Sequence, residues 1–354
     1  MALRMTVLLA SLMVVACSVN PDATPQSLGN DNVTIMTFNV ENLFDASDDA
    51  GKDDHAYLPR RVKSDPAHIA KCAPIEVDRW KAECLELDWS ESAVEFKLSQ
   101  IARVILQVNN GKGPDIIALQ EIENERILKR LNETYLADAG YTQVVLIEGR
   151  DLRGIDVAFL SRLPLTGRPV LHDFIPVGFP DRADDTRGIL QATFTLPDGT
   201  TITGFAVHFP APYHPIRMRE LAYDRLNELR AALPAEQLVF AAGDFNTPRR
   251  EMTDTTIMDD RVRPFWTVAH EVGCNGCLGT NYWWRGKSWS FLDMILFSAD
   301  SDATWRMQPK GVFLANAYAD QLNADGTVKR FNLEKREGVS DHLPLVMTLE
   351  RTTN

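Results

Sequence analysis

Leu238 Val239 Phe240 Ala241 Ala242 Gly243 Asp244 Phe245 Asn246 Thr247 Pro248 is an apolar run that ends on a carboxylate and a carboxamide two positions apart. The run reads as a short buried strand, and in extended geometry Asp244 and Asn246 project from the same face. Gly243 allows close backbone approach just before them, and Pro248 ends the strand. A carboxylate beside a carboxamide suits a site where a water is oriented and deprotonated while a phosphate oxygen or metal is held nearby. Taken alone, Gly-Asp-x-Asn is equally ordinary turn chemistry. The rest of the chain decides between the two.

Working outward, a helix from about Ile216 to Ala232 leads into this strand. Before it, Gly188–Leu196 and Thr201–His208 flank a Pro197 Asp198 Gly199 Thr200 turn and predict a hairpin opened by Arg187 and closed by His208. Asp156 heads a buried strand, Val157 to Leu160, which follows Arg153 Gly154; Val144–Ile147 is another strand. Ile116 Ile117 Ala118 Leu119 is fully apolar and ends in Gln120 Glu121. Helical spacing of Val94, Leu98, Ile101, Val104, Ile105 and Val108 is stopped by Gly111 and Gly113, and a second helix runs from about Asn124 to Ala137. The alternating stretch Val33 to Val40 delivers Asn39 and then Glu41. Downstream, Ser290–Phe297 is a strand containing Asp293, Val339–His342 is a loop, and Leu345–Leu349 closes the pattern. Short strands interleaved with helices predict two sheets with helices outside, as one catalytic domain over 31–354. Residues 45–90, rich in Asp, Lys and Pro and lacking any sustained period, read as a surface insertion held by a disulfide.

With 354 residues and 45% apolar composition the chain can bury a substantial core. Its 37 basic against 49 acidic residues, a net charge of −12, argue against purely electrostatic nucleic-acid binding. They do not exclude a phosphate-ester substrate, because a bound divalent cation can dominate the local charge of an acidic site. Arg4 followed by the apolar run Met5–Ala16 reads as a signal peptide, too short to span a bilayer comfortably. Ala16 before Cys17 resembles the lipobox of bacterial lipoproteins, which would make Cys17 the lipidated first residue; cleavage near Ala16 with a soluble product is the alternative. Ser18 after the cysteine favours, by the same resemblance, the outer membrane. Residues 18–30 form a tether. The remaining cysteines fall into two pairs, Cys72 with Cys84 and Cys274 with Cys277, which in an exported chain points to disulfides, a four-cysteine zinc site being the rival. No second apolar run is long enough for a transmembrane helix.

Polar residues recur where buried strands give way to loops: Asn39, Glu121, His208, Asp244, Asn246, Asp293, and Asp341 with His342. Strand ends that converge on one edge build active sites. Thr37 Phe38 Asn39 Val40, Leu119 Gln120 Glu121, Val207 His208, Gly243 Asp244 Phe245 Asn246, Ser290 Phe291 Leu292 Asp293 and Ser340 Asp341 His342 resemble, in order, the motif series of the endonuclease/exonuclease/phosphatase superfamily.

That resemblance implies a four-layer α/β sandwich, with two sheets face to face and helices outside, hydrolysing a phosphate ester by in-line attack of an activated water. Glu121 would be the principal ligand of Mg²⁺ or Mn²⁺, with Ca²⁺ a third candidate, and Asn39 and Asp341 additional or outer ligands. Asp244 would orient or deprotonate the water, and Asn246 would hold it or a phosphate oxygen. His342, oriented by Asp293, would contact the scissile phosphate or act as acid/base. His208 followed by Phe209 Pro210 is similar to the pancreatic deoxyribonuclease branch, in which Asp156 would be its carboxylate partner and Arg187 a phosphate contact. The implied substrate is nucleic acid, with a phosphomonoester or sphingomyelin-like lipid as alternatives on the same machinery, and a silent surface binding protein as a third. The implied attachment is to membrane through the lipid anchor, with no protein partner. Two features stay outside this scheme. Tyr282 Trp283 Trp284 Arg285 with Trp289 reads as core or inter-sheet packing, or else as a platform for bases or lipid. Asp48 Asp49 with Asp53 Asp54 reads as a solvated acidic loop, or else as a structural Ca²⁺ site.

Overall fold

The computed structural model describes residues 31–352. The leader, Cys17 and the tether lie outside the described residues. A first sheet places its strands in the order Trp305–Met307, Leu345–Arg351, Asn32–Leu43, Ile116–Ile122, Asp156–Ser161 and Gln143–Leu146, with Phe313–Leu314 also on Leu345–Arg351. A second sheet runs Val170–His172, Ile189–Thr195, Thr201–His208, Leu238–Asp244, Asp293–Ser298 and Thr267–Val268. Both are mixed, each with one parallel pair at its centre: Asn32–Leu43 with Ile116–Ile122, and Thr201–His208 with Leu238–Asp244.

Three apolar clusters separate four layers. One lies between the sheets and takes Ile35, Ala118 and Phe159 from the first and Phe194, Ala206, Phe240, Ala242 and Ile295 from the second. The outer face of the first sheet, with Met36, Phe38 and Leu119, packs on Val94, Leu98, Ile101 and Ile105 of the helix Glu91–Leu106. The outer face of the second, with Phe205, Val239, Ala241 and Leu296, packs on Ala222, Tyr223 and Leu226 of the helix Ile216–Ala231. The chain is therefore the four-layer α/β sandwich expected from its sequence.

Strand alternation then fixes where the polar strand ends point. Ile35, Ala206, Phe240, Ala242 and Ile295 face the inter-sheet core. The same parity carries Asn39, His208, Asp244 and Asp293 onto that face at one edge. The site is the inter-sheet core continued until it turns polar.

Three sequence expectations are corrected. Residues 45–90 are not structureless: they hold short helices at Arg60–Lys63, Pro66–Cys72 and Asp78–Glu86. Their period is invisible because each is too short to show one, and because they are pinned from outside by the Cys72–Cys84 disulfide and by Trp89, which is buried and donates to Phe44 O at 3.1 Å. The helix expected over 124–137 is α-helical only at Glu125–Arg130, after which Leu131–Tyr135 widens into a π turn. Trp283 and Trp284 are not core residues. They stand 55% and 67% exposed on a separate hairpin, Asn281–Trp283 with Ser288–Ser290. Cys274 and Cys277 form the second disulfide, so the four cysteines are two cross-links and not a zinc site.

The Cys72–Cys84 bridge spans 12 positions. Loop-closure entropy of that size is worth about 3 kcal/mol. Replacing both cysteines by serine is expected to lower unfolding free energy by that order in urea titrations, and to open 60–86 to limited proteolysis ahead of the sandwich; equal protection of that segment in both proteins would show that the bridge does not hold it.

Candidate active site

Both sheets bring irregular backbone to the polar edge. Asn32–Leu43 and Ile116–Ile122 slip register against each other between Asn39 and Leu43. Glu41 (φ 54°), Asn42 (φ 60°) and Glu121 (φ 64°) adopt left-handed backbone there, as Asn246 (φ 50°) does across the cleft. Without the slip, Glu121 would share the parity of Ile117 and Leu119 and point at the outer helices; the left-handed turn swings it to Asn39 instead. Non-glycine residues seldom adopt this conformation unless surroundings enforce it. Here the site's own side chains do so: Asn39 Oδ1 accepts from Glu41 N at 3.0 Å, Glu121 Oε2 from Asn42 N at 2.9 Å, and Asp244 Oδ1 from Asn246 N at 2.8 Å.

Asp244 is the hub. Its Oδ2 accepts from Asn39 Nδ2 at 3.1 Å, and His208 Nε2 and His342 Nε2 stand 3.6 and 3.9 Å from the same oxygen. Asn39 Nδ2 also reaches Glu121 Oε1 at 3.2 Å, so this amide acts as the donor between two carboxylates. In the second sheet Asp244 is aligned with His208 on one side and Asp293 on the other. His342 enters on the loop before Leu345, its Nδ1 2.6 Å from Asp293 Oδ2. Ser340 fastens that loop, donating from Oγ to Asn39 O at 2.7 Å and accepting from His342 N at 3.0 Å. Asn246 Nδ2 donates to Phe209 O at 3.0 Å and so holds the chain leaving His208.

The two histidines are driven apart electrically. Burial alone would lower the His342 pKa, but the Asp293 carboxylate, with Asp244 and Asp341 behind it, holds it well above the ordinary value. Burial lowers His208 well below that value, and the Arg187 and Arg153 guanidiniums push in the same direction. One imidazole is thus cationic and the other neutral at neutral pH, the arrangement in which one group donates a proton and another can accept. Burial pushes the Asp244 carboxyl up to about 7 against the opposing charge of His342, which gives it the basicity a general base needs near neutrality.

Of the remaining expected residues, Asp341 stands at the cleft with Oδ2 3.1 Å from Arg330 Nη2 and Oδ1 3.8 Å from His342 Nε2. Arg187 is buried, donates from Nη1 to Asp151 Oδ2 at 3.0 Å, and leaves its Nε without a protein partner among the described residues. Asp156 is a correction. Its Oδ1 accepts from Gly149 N at 2.9 Å, whereas His208 Nδ1 is buried without any partner among the described residues. The expected Asp156–His208 pairing is not formed, because Asp156 closes the loop that precedes its own strand.

Four contributors escaped sequence reading. Glu41, two residues beyond Asn39, is pushed up to about 7 by burial and by Asp341, against Arg330 and Lys97. Arg330 pairs with both Glu41 and Asp341. Lys97 sits fully buried on the helix face that periodicity assigns to apolar residues, its Nζ donating to Val339 O at 2.8 Å. Arg219, also fully buried, pairs with Glu251 and donates to Ala211 O at 2.8 Å, bracing the chain after His208. Only Glu41 carried a signal, its place on the Asn39 strand; the others come from remote segments.

The donor set fits a divalent cation. Glu121, Asp341 and Glu41 are hard oxygen donors, and burial raises the pKa of Glu41 and Asp244 although Arg330 and His342 stand beside them. Donor atoms of Asp244, Asp293 and His342 also gather within 4.8 Å of one another. The short Asp293–His342 contact already occupies one of those imidazole nitrogens, so this trio reads as an acid/base pair beside Asp244.

Comparison with known proteins bears on the family and the fold. The sequence model of the Endonuclease/Exonuclease/phosphatase family matches residues 36–342. No curated protein matches the chain. Among solved structures, an endonuclease/exonuclease/phosphatase family protein from Bacteroides thetaiotaomicron is 18% identical with a TM-score of 0.55, over 91% of this chain and 98% of that one. A mannosyl-6-phosphatase from the same organism is 17% identical with a TM-score of 0.54, over 90% and 99%. TDP2 from Caenorhabditis elegans is 15% identical with a TM-score of 0.52, over 90% and 74%. At such identities the likeness is one of fold.

Two outcomes test the geometry. A Cβ on Gly243 would lie 1.9 Å from Val207 O, so Gly243→Ala should cost about 3 kcal/mol, the upper end of overpacking penalties; an unchanged urea midpoint would show that the parallel pair can part at no cost. In an NMR titration the His342 ring should stay protonated well above the ordinary histidine pKa of about 6.5 and fall back in Asp293→Asn. Because the folded value is the raised one, the stability this pair contributes is full below about 6.5 and is lost as pH rises through the folded pKa. A wild-type ring titrating near 6.5 would remove the cationic assignment.

Proposed function

The chain belongs to the endonuclease/exonuclease/phosphatase family, whose members hydrolyse phosphoester bonds, and from that premise we propose that it is an exported, divalent-metal-dependent nuclease cutting phosphodiester bonds of DNA or RNA. The observation that carries the reading is the convergence of Asn39, His208 and His342 on one oxygen of Asp244. In the proposed reaction Asp244 takes the proton of the attacking water. Asn246 and Asn39 keep its two oxygens aimed, through the contacts at 2.8 and 3.1 Å. His342, cationic against Asp293, donates to a phosphate oxygen or to the leaving oxygen. Arg187 and Arg153, on the His208 side, favour an anion there. A divalent cation such as Mg²⁺ or Mn²⁺, held by Glu121 with Asp341 and Glu41, would neutralise charge building on the phosphate.

The polymeric substrate is favoured by the exposed hairpin. Trp283 and Trp284 are exposed on the hairpin whose Asn281 meets the His342 loop, with the Arg285 guanidinium 5.4 Å from the Trp284 ring centroid, and base stacking on such rings is worth about 1–3 kcal/mol per base. Phosphomonoester hydrolysis is the second reading, favoured by the likeness to the mannosyl-6-phosphatase. Export is supported by the two disulfides, which suit an extracytoplasmic setting. We extend this to a lipid anchor on Cys17, for which release of a Cys17→Ala variant from the membrane fraction is the check.

The deciding experiment incubates purified protein with plasmid DNA, RNA, sphingomyelin and a simple phosphomonoester, with Mg²⁺, with Mn²⁺ and with EDTA. Metal-dependent nicking that falls about 10²–10⁴-fold in Asp244→Asn and in His342→Ala, with circular dichroism unchanged, is the expected result. Intact plasmid with turnover of the monoester or the lipid would replace the nuclease reading, and turnover of none would leave a binding protein.

A further inference from the structure

The acidic stretch Asp45–Asp54 is solvated only in part: Asp48 and Asp53 are exposed, as expected, but Asp54 is not. Asp54 is 1% exposed, and its Oδ1 has no hydrogen-bond partner among the described residues. A buried carboxylate oxygen without a donor is costly unless a cation meets it. Next to that oxygen, at 3.5 Å, is His55 Nδ1, which is also 3.2 Å from Asp48 Oδ1. The three donor atoms all lie within 4.8 Å of one another.

A proton on His55 Nδ1 serves only one of the two oxygens, and it is taken by Asp48 at 3.2 Å. A cation between the three atoms serves both. Ligand edges of about 3.3–3.6 Å are what a tetrahedral ion with bonds of about 2.0–2.2 Å requires, and the two edges at His55 Nδ1, 3.2 and 3.5 Å, lie at or close to that range. Each carboxylate has its other oxygen fixed by the scaffold: Asp48 Oδ2 accepts from Lys71 Nζ at 2.9 Å, and Asp54 Oδ2 from Asp49 N at 2.7 Å. Lys71 meets only the outer oxygen of Asp48, and the other neighbouring cations are committed elsewhere, Lys52 to Gly149 O and Asp151 O, and Arg126 to Asp45 and Asp49.

We propose that Asp48, Asp54 and His55 form a second metal site, made of residues other than those of the Asp244 cleft, that takes a divalent transition cation of the Zn²⁺ class with water completing its shell. An imidazole with two carboxylates selects such an ion over Mg²⁺ or Ca²⁺, which prefer oxygen throughout. The role is structural. His55 opens the short helical turn His55–Tyr57, and the Tyr57 ring stacks at 3.9 Å on Phe44, just past the strand that carries Asn39. Lys71, on the helix Pro66–Cys72, brings the disulfide-bridged part of the insertion to the same point. An ion here fastens residues 45–90 to the first sheet.

The test uses the full protein stripped of metal and dialysed against Zn²⁺, with bound zinc counted by mass spectrometry and the melting temperature recorded with and without the ion. Glu121→Gln serves as the control that disables the cleft. Expected is a zinc equivalent retained by Glu121→Gln and lost by both His55→Ala and Asp48→Asn, with a zinc-induced rise in melting temperature lost in the same two variants. Asp48→Asn preserves shape at a half-exposed position, so it reads out even where His55→Ala is poorly folded. No zinc uptake by the wild type, or equal uptake and equal thermal response in both variants, would overturn the site.

Discussion

The Oδ2 atom of Asp244 is shared by groups from both sheets, and most of the architecture is needed to make that possible. Within the second sheet, parallel pairing with His208 and antiparallel pairing with Asp293 put three site residues on adjacent strands at the same level. The fourth partner, Asn39, comes across the sandwich from the first sheet, at 3.1 Å. The core between the sheets, which includes Ala118, Ala206 and Ala242, holds the two sheets at a fixed spacing, because interiors at crystal-like density do not open by a fraction of an ångström without losing contacts. A core residue far from the cleft is in this sense a determinant of the Asn39–Asp244 contact.

How much of this the sequence could tell depended on the range of the interactions involved. Strand alternation is local, so the apolar runs ending at Asn39, His208 and Asp244 were legible, and with them the layers of the sandwich and the edge where the site lies. Glu121 was found by its motif, but alternation alone would have sent it to the wrong face; the register slip and the left-handed backbone at φ 64° correct it. Asp156 was the opposite case. It had the right residue type at the head of a strand, and a local backbone contact to Gly149 claims it. Lys97 and Arg330 could not be found, since nothing within a few residues of either says that Val339, or Glu41 with Asp341, will be its partner. The helices of residues 60–86 were missed for a related reason: short helices are marginal by themselves and form when tertiary contacts hold them.

The net charge of −12 gives little idea of the cleft. Arg153, Arg187, Arg330 and Lys97 gather around it, and their fields act on His208, Glu41 and Asp341 at close range. The composition describes the surface as a whole, and a phosphate senses only the part of that charge within about a Debye length. The cleft also holds the carboxylates of Glu41, Glu121, Asp244, Asp293 and Asp341, so its local charge is a mixture that neither the total nor the basic groups alone describe.

The hairpin Asn281–Ser290 is joined to the His342 loop: Asn281 bridges His342, Asn281 Nδ2 donates to Asp341 O at 2.9 Å, and Leu343 N donates to Thr280 O at 2.7 Å. Thr280 Oγ1 meanwhile accepts from Asp293 N at 3.0 Å. The histidine and its aspartate are thus hung from one short ribbon whose free end carries two exposed indole rings. In the proposed reading, a ligand gripped by those rings would pull on the same frame that aligns the imidazole, so attraction felt at its periphery would be convertible into alignment at its centre. A larger ligand would gain more than affinity from reaching the rings: it would be turned over faster than its own fragment.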